Sequence, residues 1–133
     1  MSASDVVRAY LAAMEARDLP LAQSMLAPGF WMQFPGPATF TSLPELIEWA
    51  KPRYRFVKKV YDRFDEAPAA EGVIVYCYGT LGGEWPDGAV FGGIRFIDRF
   101  TVAGGKLVDQ TVWNDLAEYR MALGHQAGGA TPS

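Results

Sequence analysis

Apolar residues recur at helical spacing near the start of the chain and alternate with polar ones over most of the rest. Val6, Val7, Tyr10, Leu11 and Met14 mark an amphipathic helix from about Asp5 to Arg17, with Ser4 as its expected N-cap. Asp18 reads as the cap of a shorter helix, LPLAQSML, which APG at 27–29 would stop. Pro20 falls in its first turn, where a missing N–H costs nothing. The aromatic stretch FWMQF, 30–34, reads as a short strand closed by Pro35. Ser42 followed by Glu45 is a capping box, so a third helix is expected from Leu43, carrying Leu46, Ile47 and Trp49 and ended by Pro52. Strands are expected at about 55–66, 72–81, 89–102 and 106–115, joined by APAAEG, GGEWPDG and the Gly-rich turn AGG. Helices followed by a run of antiparallel strands predict an α+β domain, with helices on one side of a curved sheet.

One position breaks the alternation. In IRFIDRF, 94–100, Ile94, Phe96 and Phe100 share one face, and Asp98 falls on that same apolar face. A buried unpaired charge is expensive, so Asp98 must be neutralised, bonded or turned into a cavity. Either a structural carboxylate with an unseen partner or a functional one in a pocket satisfies this.

The bulk numbers narrow the class. The chain has 133 residues, one domain's worth, and half of them are hydrophobic. Residues 1–120 are read as that domain and 121–133, small and polar towards the end, as a flexible tail. With 12 Lys+Arg against 15 Asp+Glu the net charge is −3, which argues against a nucleic-acid partner. The densest basic patch, VKK at 57–59, reads as a solvated strand edge. Cys77 is the single cysteine and sits in the apolar run VIVYCYG, as a small hydrophobe would. The start MSASDVVRAY has neither a basic n-region nor an apolar h-region, and no apolar run is long enough to span a bilayer, so a cytoplasmic protein is expected. No cofactor and no metal are expected: there is one His, His125, one Cys, and no close carboxylate pair.

The order of elements resembles the nuclear transport factor 2-like superfamily, which includes ketosteroid isomerase, the SnoaL-like polyketide cyclases, limonene epoxide hydrolase and scytalone dehydratase. The motifs that carry the resemblance are AYLAAMEARDLPLAQSMLAPGF at the start and IDRFTVAGGKLVDQTVWND at the end, and it covers about residues 4–119. It implies three N-terminal helices packed on a strongly curved antiparallel sheet, a conical half-barrel with a pocket between helix and sheet. It also implies site residues. The helix-one Tyr of ketosteroid isomerase falls on Tyr10, and its pocket Asp on Asp98. In that family the two donate hydrogen bonds to a developing enolate oxygen, the carboxylic acid being kept neutral by an apolar site, a case that is a standard illustration of the effect. The proton-abstracting Asp of that family falls near Phe34, which cannot take a proton; the last-strand Asp of the cyclases falls on Val112.

Three functional readings follow. The first is a cofactor-independent isomerase, cyclase or dehydratase acting on a hydrophobic carbonyl compound, with Tyr10 and Asp98 as an oxyanion or acid–base pair. The second is a ligand-binding or sensor module that kept the pocket without the base. The third, compatible with both, is a homodimer through an exposed sheet face carrying Tyr61, Thr111 and Trp113. The expected ligand-binding set is Trp31, Phe34, Trp49, Tyr76, Tyr78, Phe96, Gln110, Val112 and Asn114, aromatics for a flat apolar body and Gln110 and Asn114 as neutral hydrogen-bonding groups. The aromatics are otherwise core, and the two amides otherwise satisfy backbone at the rim.

Overall fold

The computed structural model describes residues 1–130, and the side chains of residues 1–123. Helix α1 (Ala3–Glu15) begins one turn-fraction earlier than the periodicity suggests, because Ser2, not Ser4, is its N-cap and closes a capping box with Asp5. Ser4 instead donates to Glu66 across the fold. Helix α2 (Leu19–Ser24) starts at the expected cap, Asp18, which accepts from the Leu21 amide. Strand β1 (Leu26–Gln33) takes in the APG expected to precede it, with an irregular register between Leu26 and Trp31. The short strand β2 (Thr39–Phe40) leads to helix α3 (Leu43–Ala50), capped by Ser42 as its sequence predicts. Strands β3 (Phe56–Ala69), β4 (Gly72–Glu84), β5 (Val90–Ala103) and β6 (Lys106–Asn114) follow as a meander. Helix α4 (Leu116–Ala130) ends the described chain. The stretch expected as a tail, 121–133, thus starts within α4, and residues 131–133 lie outside the described residues.

The last meander turn is the one the sequence calls for, while β3 and β4 extend into the connections expected at 67–72 and 82–88. Gly104 and Gly105 both take positive φ, 58° and 73°, between the paired residues Ala103 and Lys106. That is the conformation a two-residue hairpin requires and glycine supplies without strain.

The expected half-barrel needs correction on three counts. The helices do not form an N-terminal group of three: two precede β1, while α3 lies between β2 and β3. The sheet is mixed, since β1 pairs with β6 in parallel. Its six strands follow the order β2-β1-β6-β5-β4-β3, open at both ends, so it is neither closed nor the strongly curled antiparallel half-cone expected. The physical reason is the course of the chain after β1. Parallel neighbours need a long crossover, and everything from β2 through β5 serves as that crossover before β6 returns beside β1. A local hydrophobic pattern cannot announce such a pairing.

One face of the sheet is covered. Val7, Tyr10 and Leu11 of α1 pack on Val75, Cys77, Phe96 and Phe100, and all of these are buried. Ridding this face of water provides most of the core, at about 25 cal/mol per Å² of apolar surface. The opposite face is open, with Ile97 and Trp113 exposed.

Candidate active site: an ion pair under an aromatic cavity

Register decides which side chains meet on the covered face. Cys77 stands opposite Asp98, and Asp98 opposite Val112; Gly79 stands opposite Phe96, and Phe96 opposite Asn114. On β3 a bulge between Tyr61 and Arg63 shifts the parity, so that Val57, Lys59, Tyr61 and then Phe64 point the same way. Just before the bulge the Val60 carbonyl lies against β4, where a Cβ on Gly79 would lie 1.9 Å from that oxygen. Glycine is required there for the strands to approach.

Asp98 is fully buried, as the alternation in IRFIDRF predicts. Its partner is Lys59, whose Nζ donates to Asp98 Oδ2 at 2.5 Å. The same ammonium lies over the ring of Phe96, 4.7 Å from its centroid. The carboxylate on the apolar face is therefore one half of an ion pair. This overturns the reading of VKK as a solvated edge: Lys58 is exposed, but the Lys59 side chain is only 17% exposed. A signal existed in the sequence. Val57, Lys59 and Tyr61 form an alternating apolar set with one charge in it, the mirror image of Ile94, Phe96, Asp98 and Phe100, and opposite in sign.

Three buried polar atoms near this pair have no protein partner among the described residues: Asp98 Oδ1, the Tyr10 hydroxyl and Gln110 Oε1. Tyr10 packs edge-on against Phe100, ring centroids 6.1 Å apart, and also touches Phe30. Burial pushes its titration well above the usual tyrosine range, and the charge of Asp98 pushes it further, so the phenol stays a neutral donor. Tyr61, T-shaped on Phe96, is raised for the same two reasons in the same order. Burial drives the Cys77 thiol up to about 12, with Asp98 as the second cause, which leaves it inert.

The group that reaches ligand space is Lys59. It lines a cavity of about 320 Å³ between α3, the sheet and the first turn of α4, walled by Phe34, Trp49, Tyr54, Leu81 and Val112. Phe34 and Trp49 stack with Phe40 as a three-ring cluster at 5.4–6.1 Å. A second cavity of about 300 Å³, under α1 and α3, shares Phe34, Tyr54, Val57 and Lys59 with the first. The largest depression, about 710 Å³, lies mostly on the open face around Tyr78, Ile97 and Trp113. Size alone would choose it. The chemistry does not, because Lys59, the partner of the buried Asp98, lines the smaller cavity and not this one.

The residues singled out from the sequence thus separate into three groups. Phe34, Trp49, Val112 and Asn114 line the 320 Å³ cavity. Tyr10, Phe96, Asp98 and Gln110 lie beneath it in the core. Trp31, Tyr76 and Tyr78 stand on the open face, with partners Asp109, Arg99 and Ile97 in register. Asn114 also has a structural duty, since its Oδ1 accepts from the Leu116 amide at the start of α4. Tyr61, expected beside Trp113 on a dimer face, is on the covered side instead, because the register there sets it opposite Gly79, in line with Phe96.

No protein-family model and no curated protein matches the sequence. Solved structures do. A nuclear transport factor 2-like (NTF2-like) protein of unknown function from Burkholderia pseudomallei superposes with a TM-score of 0.74 at 21% identity, over 91% of this chain and 97% of that one. The chain has the NTF2-like fold. TerC, co-crystallised with polyporic acid, matches with a TM-score of 0.74 at 15% identity, covering 88% and 94% of the two chains. A candidate polyketide cyclase from Pseudomonas putida gives 0.69 at 17%, covering 90% and 96%. At these identities the likeness concerns the fold, and an NTF2-like fold hosts many chemistries. No described helix is long and apolar enough to cross a membrane.

Proposed function

We propose that this NTF2-like chain is a cofactor-independent small-molecule enzyme of the isomerase, cyclase or lyase kind, acting on a hydrophobic carbonyl compound. The observation that carries the reading is the Lys59–Asp98 pair, buried at its inner end and lining an aromatic cavity at its outer one. An ammonium has three N–H bonds, and Asp98 takes one. The others are free to donate to a carbonyl oxygen in the cavity. As that oxygen gains enolate character, the fixed positive charge stabilises it more than it stabilises the ground state. Asp98 holds the lysine in place. It accepts from that ammonium, so in this reading Lys59 is the oxyanion donor and Asp98 its positioning residue. The neutral Tyr10 hydroxyl, in the field of Asp98, belongs to the same polar group.

The fold neighbours favour a small-molecule ligand: one is described as a candidate cyclase, and another was crystallised with polyporic acid. The test is turnover of an activated hydrophobic ketone, followed by Lys59→Met, Asp98→Asn and Tyr10→Phe. Loss of turnover in Lys59→Met with retained folding supports the reading. Turnover unchanged in all three variants sinks it.

A second reading has its own support. Phe34 lines the cavity where a proton-abstracting carboxylate would be placed by the family resemblance. A binding module without turnover would show tight, saturable binding of a ligand recovered unchanged. Mass analysis of whatever co-purifies separates the two. We also propose a homodimer through the open face around Ile97 and Trp113, both exposed apolar side chains. Light scattering at micromolar concentration giving a monomer mass contradicts it.

A further inference from the structure

The charged side chains that line the 320 Å³ cavity are Lys59, Arg53 and Arg120; no aspartate or glutamate lines it. In a chain of net charge −3 this is a local reversal of sign. The three cations are not equivalent. Lys59 has its counterion in Asp98. Among the described residues, neither Arg53 nor Arg120 has a carboxylate within ion-pair distance. Both are at the surface, Arg53 just beyond the end of α3 and Arg120 in α4.

Each has its guanidinium over an aromatic ring. Arg53 lies 4.0 Å over the ring of Trp49, itself a wall of the cavity. Arg120 lies 5.1 Å over the ring of Trp85. Stacking of this kind satisfies the face of a guanidinium and leaves its N–H edge available. A planar edge of parallel donors matches a carboxylate better than any neutral oxygen. The walls deeper in are Phe34, Trp49, Tyr54, Leu81 and Val112, which select an apolar body. At about 320 Å³ the cavity is at the small end of ligand sites, with room for about two rings.

We propose that the ligand of this cavity is an amphipathic monocarboxylate, its ring-bearing body against the aromatic wall and its carboxylate received at the mouth by Arg53 and Arg120. The inference rests on the cavity being the ligand site and adds the ligand's charge. The carboxylate at the mouth orients the molecule, so that its other oxygen function points inward to Lys59. Substrate class then becomes a hydrophobic carbonyl compound that also carries an acid group.

The experiment is calorimetric titration of the purified protein with 2-naphthoate and with its neutral isostere 2-naphthamide, at low salt. Naphthoate should bind about tenfold more tightly, the size expected when two exposed arginines each contribute a fraction of a kcal/mol. The preference should vanish in Arg53→Gln/Arg120→Gln and persist in Arg63→Gln, which alters an outer-face pair with Asp65. Both changes are at exposed positions, and an unaltered melting temperature checks that folding is kept. Equal affinity for acid and amide overturns the inference and leaves the cavity as a site for neutral ligands. A preference that survives the double substitution overturns it as well, since the acid is then read elsewhere. If neither probe binds, the cavity reading fails, and the inference with it.

Discussion

Two of the ion pairs on strand β5 look alike and behave differently. Asp98 meets Lys59 on the covered face, and three residues earlier Arg95 meets Asp115 on the open face, each pair at 2.5 Å. The inner pair is 17% and 0% exposed, the outer one 83% and 39%. Equal distances conceal unequal stakes. The outer charges are hydrated with or without each other, so their pairing adds little. The inner charges have lost their water, and each depends on the other. A short contact is thus a poor measure of importance until burial is known.

The largest effect is expected where the inner pair is half removed. Asp98→Ala leaves the Lys59 ammonium without its counterion and should cost about 3–5 kcal/mol in a denaturant melt. Removing both charges sharpens the contrast. Lys59→Met with Asp98→Leu should recover most of that loss, because apolar side chains of similar size suit the site, while ligand recognition is abolished. A double substitution as unstable as Asp98→Ala would show that shape, not charge, dominates.

The alkaline limb gives a smaller effect. The folded-state titrations of Tyr10 and Cys77 both lie above their ordinary values of 10.0 and 9.0. Raised values mean that the folded protein holds these protons more tightly than the unfolded chain does. Their contribution is therefore complete below the unfolded values and is lost as pH rises above them, for Cys77 between 9.0 and about 12. Stability should decline from about pH 9 upward, and Tyr10→Phe should flatten the part of the decline above pH 10. At neutral pH the native Cys77 thiol should resist alkylation until the protein is unfolded.

The smallest effect belongs to the outer pair. Arg95→Gln should leave the denaturant midpoint within error of the parent. A marked loss would mean that the open face is covered in solution, as the homodimer requires, and would align the two pairs after all.

Local features were legible along the chain: the Ser42–Glu45 capping box, the Asp18 cap, the Gly104–Gly105 turn and the period-two alternation that set Asp98 on the apolar face. Each depends on residues a few positions apart, whose physics is complete within a turn or a strand. The element order was legible enough to point to the NTF2-like fold. Three things were not. The parallel seating of β1 on β6 joins segments on either side of the meander, and neither strand's pattern names its neighbour. The register of β3 on β4 set Tyr61 opposite Gly79, in line with Phe96, and so inside, when its place had been assigned beside Trp113. The same limits explain Trp31, Tyr76 and Tyr78: they are aromatic enough for a pocket, but alternation alone does not say which of two faces the helices will cover. Above all, Asp98 posed its own question in the sequence, and the answer lay 39 residues away in Lys59. A charge on an apolar face declares that it needs a partner, because burial without one is too costly. Only the packing of β3 across β4 onto β5 could decide which partner it was.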